Sequence, residues 1–399
     1  MIDMKKAFAL VMENRKGLET EKVPLSKAAG RYLSAAVVSP IDSPPFDKSA
    51  MDGYAITAGD ESGEFRVLET VAAGDVASEK LTVGCCTKIM TGAMLPENAG
   101  KVIRVEYTRE FNGIMQITTP EPNTNILKQG ENLKTGDEFL PVKRLGPGDL
   151  GSLAASGIPD VEVYRLLKVG IISTGSELRN PGEPLGPGEI YNSNGTQLAA
   201  QVESAGAIPV SYGIISDNPD EHARAVEVGL KECDILLLSG GVSMGDFDYV
   251  PNTLRDAGVE IVFHGVKVKP GRPVLFGRRV ADNVGNTAFV FGLPGNPVST
   301  FIQFEVLVKA FIYHLNSLVY RPPVMQARLG SEFRRRDTER MEFRPVKITG
   351  FSDDAYGVEP VRYMGSAHLN ALVETDGLVV LEPGLERIEK GALADVRLI

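Results

Sequence analysis

Leu167-Lys168-Val169-Gly170-Ile171-Ile172-Ser173-Thr174-Gly175-Ser176-Glu177 is the stretch that decides the fold. Leu167–Thr174 reads as a continuous apolar run, suited to a strand buried on both faces of a helix-covered sheet. It ends in small and polar residues, and the same transition recurs twice. Asp234–Ser239 runs into Gly240-Gly241-Val242-Ser243-Met244-Gly245-Asp246-Phe247-Asp248, and Ala288–Leu293 runs into Pro294-Gly295-Asn296-Pro297-Val298-Ser299. Helical patterns separate these runs. Asn194–Ala205 is one. A second opens at Asn218-Pro219-Asp220-Glu221, with a capping side chain, a first-turn proline and two acids that suit the helix dipole. Its buried face is read as Ala223, Val226, Leu230 and Cys233. Ile208–Ile215 is a further strand, and a long helix from Asn296 to about Leu315 closes the region. Strands alternating with helices predict a parallel, three-layer α/β/α unit.

Outward from this unit the texture changes. Met1–Asn14 has apolar residues at helical spacing (Met4, Phe8, Val11) among charged ones, which predicts an amphipathic helix. From Pro40 to about Leu127, short strands punctuated by Gly, Pro, Asn and Asp predict a compact β unit. Gly146–Ser156 is a short helix with Pro147 early and Gly157 closing it. After Arg321-Pro322-Pro323, the segment Val324–Ile399 is strand-rich, and a small β-barrel is expected. The fold class is therefore α/β multidomain: a central three-layer α/β/α domain, flanking β-rich domains and a C-terminal β-barrel. The expected domains are 1–41 with 128–165, 42–127, 166–320 and 321–399.

With 399 residues, 43% hydrophobic and 24% charged, the chain has an ordinary globular balance. A net charge of −10 argues against a general nucleic-acid binder, which needs excess Lys and Arg to neutralise phosphates. The local run Arg334-Arg335-Arg336 is read as a solvated loop or strand edge. Nothing at the N-terminus resembles a signal peptide, and no apolar stretch approaches the roughly 18–20 residues that span a bilayer. Cys85, Cys86 and Cys233 lack metal spacing and are too few for a disulfide framework, so buried thiols in a reducing, cytoplasmic setting are expected. Gly146-Pro147-Gly148-Asp149-Leu150-Gly151 matches a dinucleotide fingerprint in letters only, because it does not follow a buried strand. There is no phosphate-binding GxxxxGK loop. The four histidines (His222, His264, His314, His368) are scattered and read as surface or capped residues rather than ligands.

Three polar or glycine-rich strand ends converge where open α/β sheets bind ligands. One such loop alone is ordinary turn chemistry, and three together point to a site. Glycines admit backbone amides to an anion, and the helix opened by Asn296 adds a favourable dipole. Hydroxyls of Thr174, Ser243 and Ser299 can donate to phosphate oxygens. The carboxylates Glu177, Asp246 and Asp248 would repel a bare phosphate, which implies Mg2+ shared between them and the phosphate. Lys267-Val268-Lys269-Pro270-Gly271-Arg272-Pro273 presents Lys269 and Arg272 from a stiff turn, suited to a compact oxyanion. Ser49-Ala50-Met51-Asp52-Gly53-Tyr54-Ala55 and Met90-Thr91-Gly92-Ala93 carry no decisive chemistry by themselves, since an Asp in a turn is usually a backbone cap.

In order, Pro-Phe-Asp-x-Ser-Ala-Met-Asp-Gly-Tyr-Ala, Thr-Gly-Ala, Ser-Thr-Gly-x-Glu-Leu, Ser-Gly-Gly-Val-Ser-x-Gly-Asp, Lys-Pro-Gly-x-Pro and Gly-Leu-Pro-Gly-Asn-Pro-Val-Ser resemble the MoeA family of molybdopterin molybdenumtransferases, related to the C-terminal domain of gephyrin. The resemblance covers essentially the whole chain. It implies insertion of molybdate into adenylated molybdopterin with Mg2+-dependent release of AMP. It also implies a homodimer, with a molybdopterin adenylyltransferase as upstream partner and no nucleic acid or membrane partner. Asp52, Thr91, Glu177 and Asp248 fall on catalytic positions, and Asp52 and Thr91 would reach the cleft from the other subunit. Substrate contacts would come from Thr174, Gly175, Ser193, Asn194, Gly240, Gly241, Ser243, Gly245, Pro294, Gly295 and Asn296. Molybdate would meet Lys269, Pro270, Arg272, Ser299, Arg340 and Ser366. Mg2+ would be held by Glu177, Asp246 or Asp248. The chain departs from the family pattern at Asn132, Asn192 and Arg272, where Asp, Asp and Lys are usual. A tungstate-preferring paralogue and a non-catalytic pterin-binding scaffold are the alternatives.

Overall fold

The computed structural model describes residues 1–242, 250–280, 287–352 and 354–399. The chain divides into two compact units, Lys22–Val163 and Met1–Glu21 with Tyr164–Ile399.

In the larger unit a six-stranded sheet runs in the order Ile208–Ile215, Lys168–Thr174, Ile235–Ser239, Ala288–Leu293, Leu275–Arg279, Glu260–His264. The first four strands are parallel, as the apolar runs predict. The last two pairings are antiparallel, so Leu275–Arg279 alone runs against the other strands, which the sequence reading did not anticipate. Both faces are covered. Ile171, Ile235 and Leu237 pack with Leu198, Val298, Ile302 and Phe311 in one core. Ile172, Leu236 and Leu238 pack with Val226, Leu230 and Leu254 in the other. Adjacent strand residues thus face opposite layers, as the two-residue strand period requires. The first core holds an aromatic cluster in which Phe289 meets Phe311 edge-on at 4.8 Å. Such pairs contribute about 0.5–1.5 kcal/mol beyond their buried area.

Helix starts follow their caps. Asn218 accepts from the amides of Asp220 and Glu221 to open Pro219–Glu232, and Asp3 accepts from the Lys6 amide to open Met4–Met12. Two expected faces are rotated. Ala223 is exposed and His222 takes its place in the core, so this histidine is neither a surface nor a capped residue. In the first helix Ala7 is buried and Phe8 is 40% exposed. The closing helix is one run, Pro297–Gln303, a π-helical turn Phe304–Val308, and Lys309–Leu315. Among the described residues it is the helix long and apolar enough to cross a membrane. That differs from the sequence expectation, but 78% of the run is buried inside the protein, which accounts for its composition.

A five-stranded barrel follows. Met341–Ser352, Ala355–Pro360, Val324–Leu329, Leu393–Leu398 and Gly377–Leu381 pair in turn, and the last returns to the first. Val268–Lys269 joins it in parallel, pairing with Met341 and Glu342. Arg335 is buried rather than solvated. Its guanidinium donates to the carbonyls of Leu385, Arg340, Leu381 and Glu382, tying the barrel's turns together.

In Lys22–Val163 a second six-stranded sheet has the order Ala99–Arg104, Gly53–Thr57, Cys85–Ile89, Glu64–Val71, Ile114–Ile117, Thr108–Phe111. Tyr54 and Ile56 enter one small core and Ala55 another. A third core gathers around the helix Pro147–Ala155, which Asp149 caps through the Gly146 amide. Cys86 and Cys233 are buried, Cys85 only partly, and burial pushes the Cys86 thiol up to about 12.

Candidate functional site

After Lys168–Thr174 the chain moves outward to Ile208–Ile215 and returns on the other side as Ile235–Ser239. That reversal opens a crevice at the strand ends, the usual ligand position in such sheets. The crevice is a cleft of about 1100 Å³, walled by the strand-end loops, the Lys269–Pro273 turn and two barrel segments around Arg340 and Ser366. Thr174, Gly175, Glu177, Ser193, Asn194, Gly240, Gly241, Lys269, Pro270, Arg272, Pro294, Gly295, Asn296, Ser299, Arg340 and Ser366 all line it.

The loops are tied to one another. Thr174 Oγ1 donates to the Ser239 carbonyl at 3.2 Å. Gly240 has φ +94°, and a Cβ there would lie 2.7 Å from both the Thr174 carbonyl oxygen and Oγ1. Only glycine permits that approach, so the cleft floor is bare backbone. Asn194 Nδ2 donates to the Gly295 carbonyl at 2.7 Å, and Thr300 Oγ1 donates to the Pro294 carbonyl. Asn192 caps the helix Ser193–Ser204 by accepting from the Gly195 amide at 2.9 Å, which an aspartate would do equally. The Ser176 amide and hydroxyl donate to Asp217 Oδ2 at 3.1 and 2.8 Å. This clamp orders the loop that presents the exposed Glu177 to the cleft.

Lys269, Arg272 and Arg340 supply the cations of the lining. Lys269 Nζ lies 3.3 Å from Glu342 Oε1, which also accepts from Arg344 Nε at 3.0 Å. Glu342 is buried, whereas the Lys269 side chain is 45% exposed and keeps its charge available to the cleft. Arg340 Nε donates to Asp337 Oδ2 at 2.7 Å. The Glu339 amide, then Arg340, hold the Asp337 carboxyl below its usual range. Asn296 Nδ2 donates to Ser366 Oγ at 2.9 Å and the Val298 amide to the Ser366 carbonyl at 3.1 Å, so the helix start and the barrel loop are stitched together. Burial, reinforced by Glu342, raises the Tyr363 phenol to about 12, leaving a neutral donor in the cleft. The cleft lining is therefore polar and of mixed charge, with the carboxylates Glu177 and Asp217 and the cations Lys269, Arg272 and Arg340.

In the smaller unit Asp52 and Thr91 meet. The Thr91 hydroxyl and amide each donate to Asp52 Oδ1 at 2.7 Å, and these two bonds lower the carboxyl pKa. The two bonds tie the exposed Asp52 carboxylate to the Thr91 turn. The Asn132 amide N–H donates to the Ser43 carbonyl at 3.0 Å, a bond indifferent to whether the side chain is an acid or an amide. Ser243, Gly245, Asp246 and Asp248 lie outside the described residues. Sequence reasoning missed Asp217, Tyr363, Glu342 and Gln303. Asp217 was within reach, since it follows the end of Ile208–Ile215, a fourth strand end beside the three that were read. The others come from barrel or helix positions without a local signature.

Among the described residues no group of three or more His, Cys, Asp or Glu is placed to hold a metal ion. The exposed Glu177 on the cleft lining fits a Mg2+ that keeps most of its waters and shares phosphate oxygens, as this cation prefers.

Residues 2–157 match the family described as MoeA N-terminal region (domain I and II), residues 170–314 a probable molybdopterin binding domain, and residues 326–399 the MoeA C-terminal region (domain IV). A molybdopterin molybdenumtransferase of Haemophilus influenzae is 33% identical, over 94% of this chain and 92% of its own. One of Bacillus subtilis is 32% identical, over 100% and 94%. The crystal structure of a molybdopterin biosynthesis moeA protein from Pyrococcus horikoshii superposes with a TM-score of 0.84 at 30% identity, covering 100% of both chains.

Proposed function

Because the chain belongs to the MoeA family, a transferase family of molybdenum cofactor biosynthesis, we propose that it inserts molybdate into adenylated molybdopterin and releases AMP. The observation that carries this reading is the mixed-charge cleft, in which the strand-end loops, Glu177 and Asp217 share one lining with Lys269, Arg272 and Arg340. The phosphates of the adenylated pterin rest on the amides of Gly241, Gly295 and Asn296, where a helix N-terminus favours negative charge. Mg2+, held by Glu177 and by Asp246 or Asp248, would supply charge neutralisation at the phosphates. Lys269, Arg340, Ser299 and Ser366 hold molybdate beside the dithiolene, and the stiff Pro270 turn limits the entropy lost on binding. A molybdate or water oxygen attacks the adenylyl phosphorus, the P–O bond to the pterin phosphate breaks, and the adenylyl group departs as AMP or as adenylyl molybdate. The two dithiol sulfurs then bond to molybdenum, and one molybdate oxygen leaves, as water with the thiol protons or within AMP. The residues position reactants and neutralise charge rather than act as covalent nucleophiles.

The reading includes a cytoplasmic homodimer in which Asp52 and Thr91 of the partner subunit complete the cleft, with a molybdopterin adenylyltransferase supplying the substrate. Asp52, its carboxylate held in place by the Thr91 hydroxyl and amide, is suited to orient the attacking oxygen or a metal-bound water. The test is to mix protein, adenylated molybdopterin, Mg2+ and molybdate, and to measure AMP release together with metal in the pterin. Intact adenylated ligand after prolonged incubation would sink the reading.

A further inference from the structure

The Lys269–Pro273 turn is shaped by a side chain from another element. Gln303 is wholly buried, and its Nε2 donates to the Pro270 carbonyl at 2.9 Å. Gly271 beside it has φ +100°, and a Cβ there would meet Gln303 Nε2, Cγ and Cδ at 2.7, 2.8 and 3.1 Å. The glutamine amide thus occupies the space that a side chain at 271 would fill, and the turn folds around it. Gln303 also stands four residues after Ser299 on the helix Pro297–Gln303, so the two share one face. That face offers Ser299 to the cleft and Gln303 to the backbone carrying Lys269.

Two further observations set this residue apart from ordinary packing. Its Oε1 is buried without a hydrogen-bond partner, a disadvantage that an apolar residue would avoid and that calls for another explanation. It is also the last residue before the π-helical turn Phe304–Val308, and such turns are frequent at functional positions. Glu342 holds Lys269 from the barrel side through its ammonium, whereas Gln303 holds the peptide itself.

We infer that Gln303 is a positioning residue that sets oxyanion affinity, fixing the Pro270 carbonyl and hence the direction in which Lys269 enters the cleft. The inference rests on the proposed role of that turn in binding molybdate. It acts on the oxyanion-binding turn, because among the described residues the strand-end loops make no hydrogen bond to Gln303.

The experiment uses the full chain. Gln303→Met keeps the length and removes both the donor to the Pro270 carbonyl and the unpartnered Oε1. Calorimetric titration with molybdate alone should show affinity weakened roughly three- to tenfold, the range for releasing one ordered side chain. In the AMP-release assay KM for molybdate should rise while KM for adenylated molybdopterin stays at its parent value. In a Lys269→Ala background Gln303→Met should add nothing, since its effect passes through Lys269. Parent-like molybdate affinity in Gln303→Met, or a full additional loss in the double variant, overturns the inference while leaving the function intact. Parent-like affinity in Lys269→Ala alone removes the oxyanion reading of the turn, and the inference with it. Should Gln303→Met fail to fold, Gln303→Asn, whose amide is too short to reach Pro270, carries the same measurements.

Discussion

Asp234 anchors the end of the sheet opposite the cleft, and its replacement by asparagine is the most quantitative test of how the larger unit is held together. Its carboxylate receives Lys16 Nζ at 2.6 Å, both terminal nitrogens of Arg165 at 2.8 Å and the Lys168 amide at 2.9 Å. Burial alone would raise its pKa, but the bonds from Arg165, Lys16 and the Lys168 amide prevail and lower it from 3.8 to about 2. That fall corresponds to about 2.5 kcal/mol favouring the ionised, folded form. Because the folded pKa is depressed, this contribution is complete above pH 3.8 and is lost as pH falls through about 2. The Asp234→Asn substitution would also leave the Lys16 ammonium, whose side chain is 5% exposed, without its counter-charge. Breaking one partner of a buried pair costs roughly 3–5 kcal/mol, or roughly 6–20 °C in melting temperature for a unit of this size. Thermal unfolding of parent and Asp234→Asn at pH 7, 4 and 2.5 would measure both effects. The gap should be widest at pH 7 and shrink toward pH 2.5, with turnover below the melting range unchanged. A variant that melts within two degrees of the parent at pH 7, or a gap that does not narrow in acid, would refute the reasoning. Replacing Lys16, Arg165 and Asp234 together by apolar residues should cost far less than Asp234→Asn alone, because no unpaired charge remains.

Gly240→Ala places a methyl 2.7 Å from two Thr174 atoms at φ +94°, and should abolish calorimetric binding of adenylated molybdopterin; retained affinity would show that the loop yields. Glu177→Gln, at an exposed position, should leave the melting temperature unchanged while slowing Mg2+-dependent AMP release by roughly 10²–10³-fold, the scale for losing one electrostatic contact to a transition state. Thr91→Val removes the hydroxyl bond that contributes most to lowering the Asp52 pKa, so carbon-detected NMR titration should find that carboxyl moved up toward 3.8; an unmoved titration would mean the backbone amide suffices.

Much of the site was legible because its signals are local. Apolar runs mark Lys168–Thr174 and Ala288–Leu293, Asn218 and Pro219 mark a helix start, and glycines mark the loops where backbone approaches a ligand. These depend on residues a few positions apart, which share a strand face or a helix turn. The role of Asp217 was missed only because its strand end lacks glycine. Phe8 and Ala223 were placed on the wrong faces for a different reason: a short amphipathic stripe tolerates a small rotation, and the neighbouring layer decides which edge is buried.

The sequence by itself therefore determined the α/β alternation, the caps and the convergence of three polar strand ends. Tertiary structure alone decided which cations those loops would face. Lys269 reaches the cleft from a strand that completes the barrel sheet, Arg340 and Ser366 come from beyond residue 330, and Gln303 and Glu342 hold the Lys269 turn from two separate elements. Nothing within a few residues of any of them specifies those partners. They are set by barrel closure and by the antiparallel return of Leu275–Arg279, arrangements in which burial and hydrogen-bond pairing are satisfied only when the whole sheet has formed.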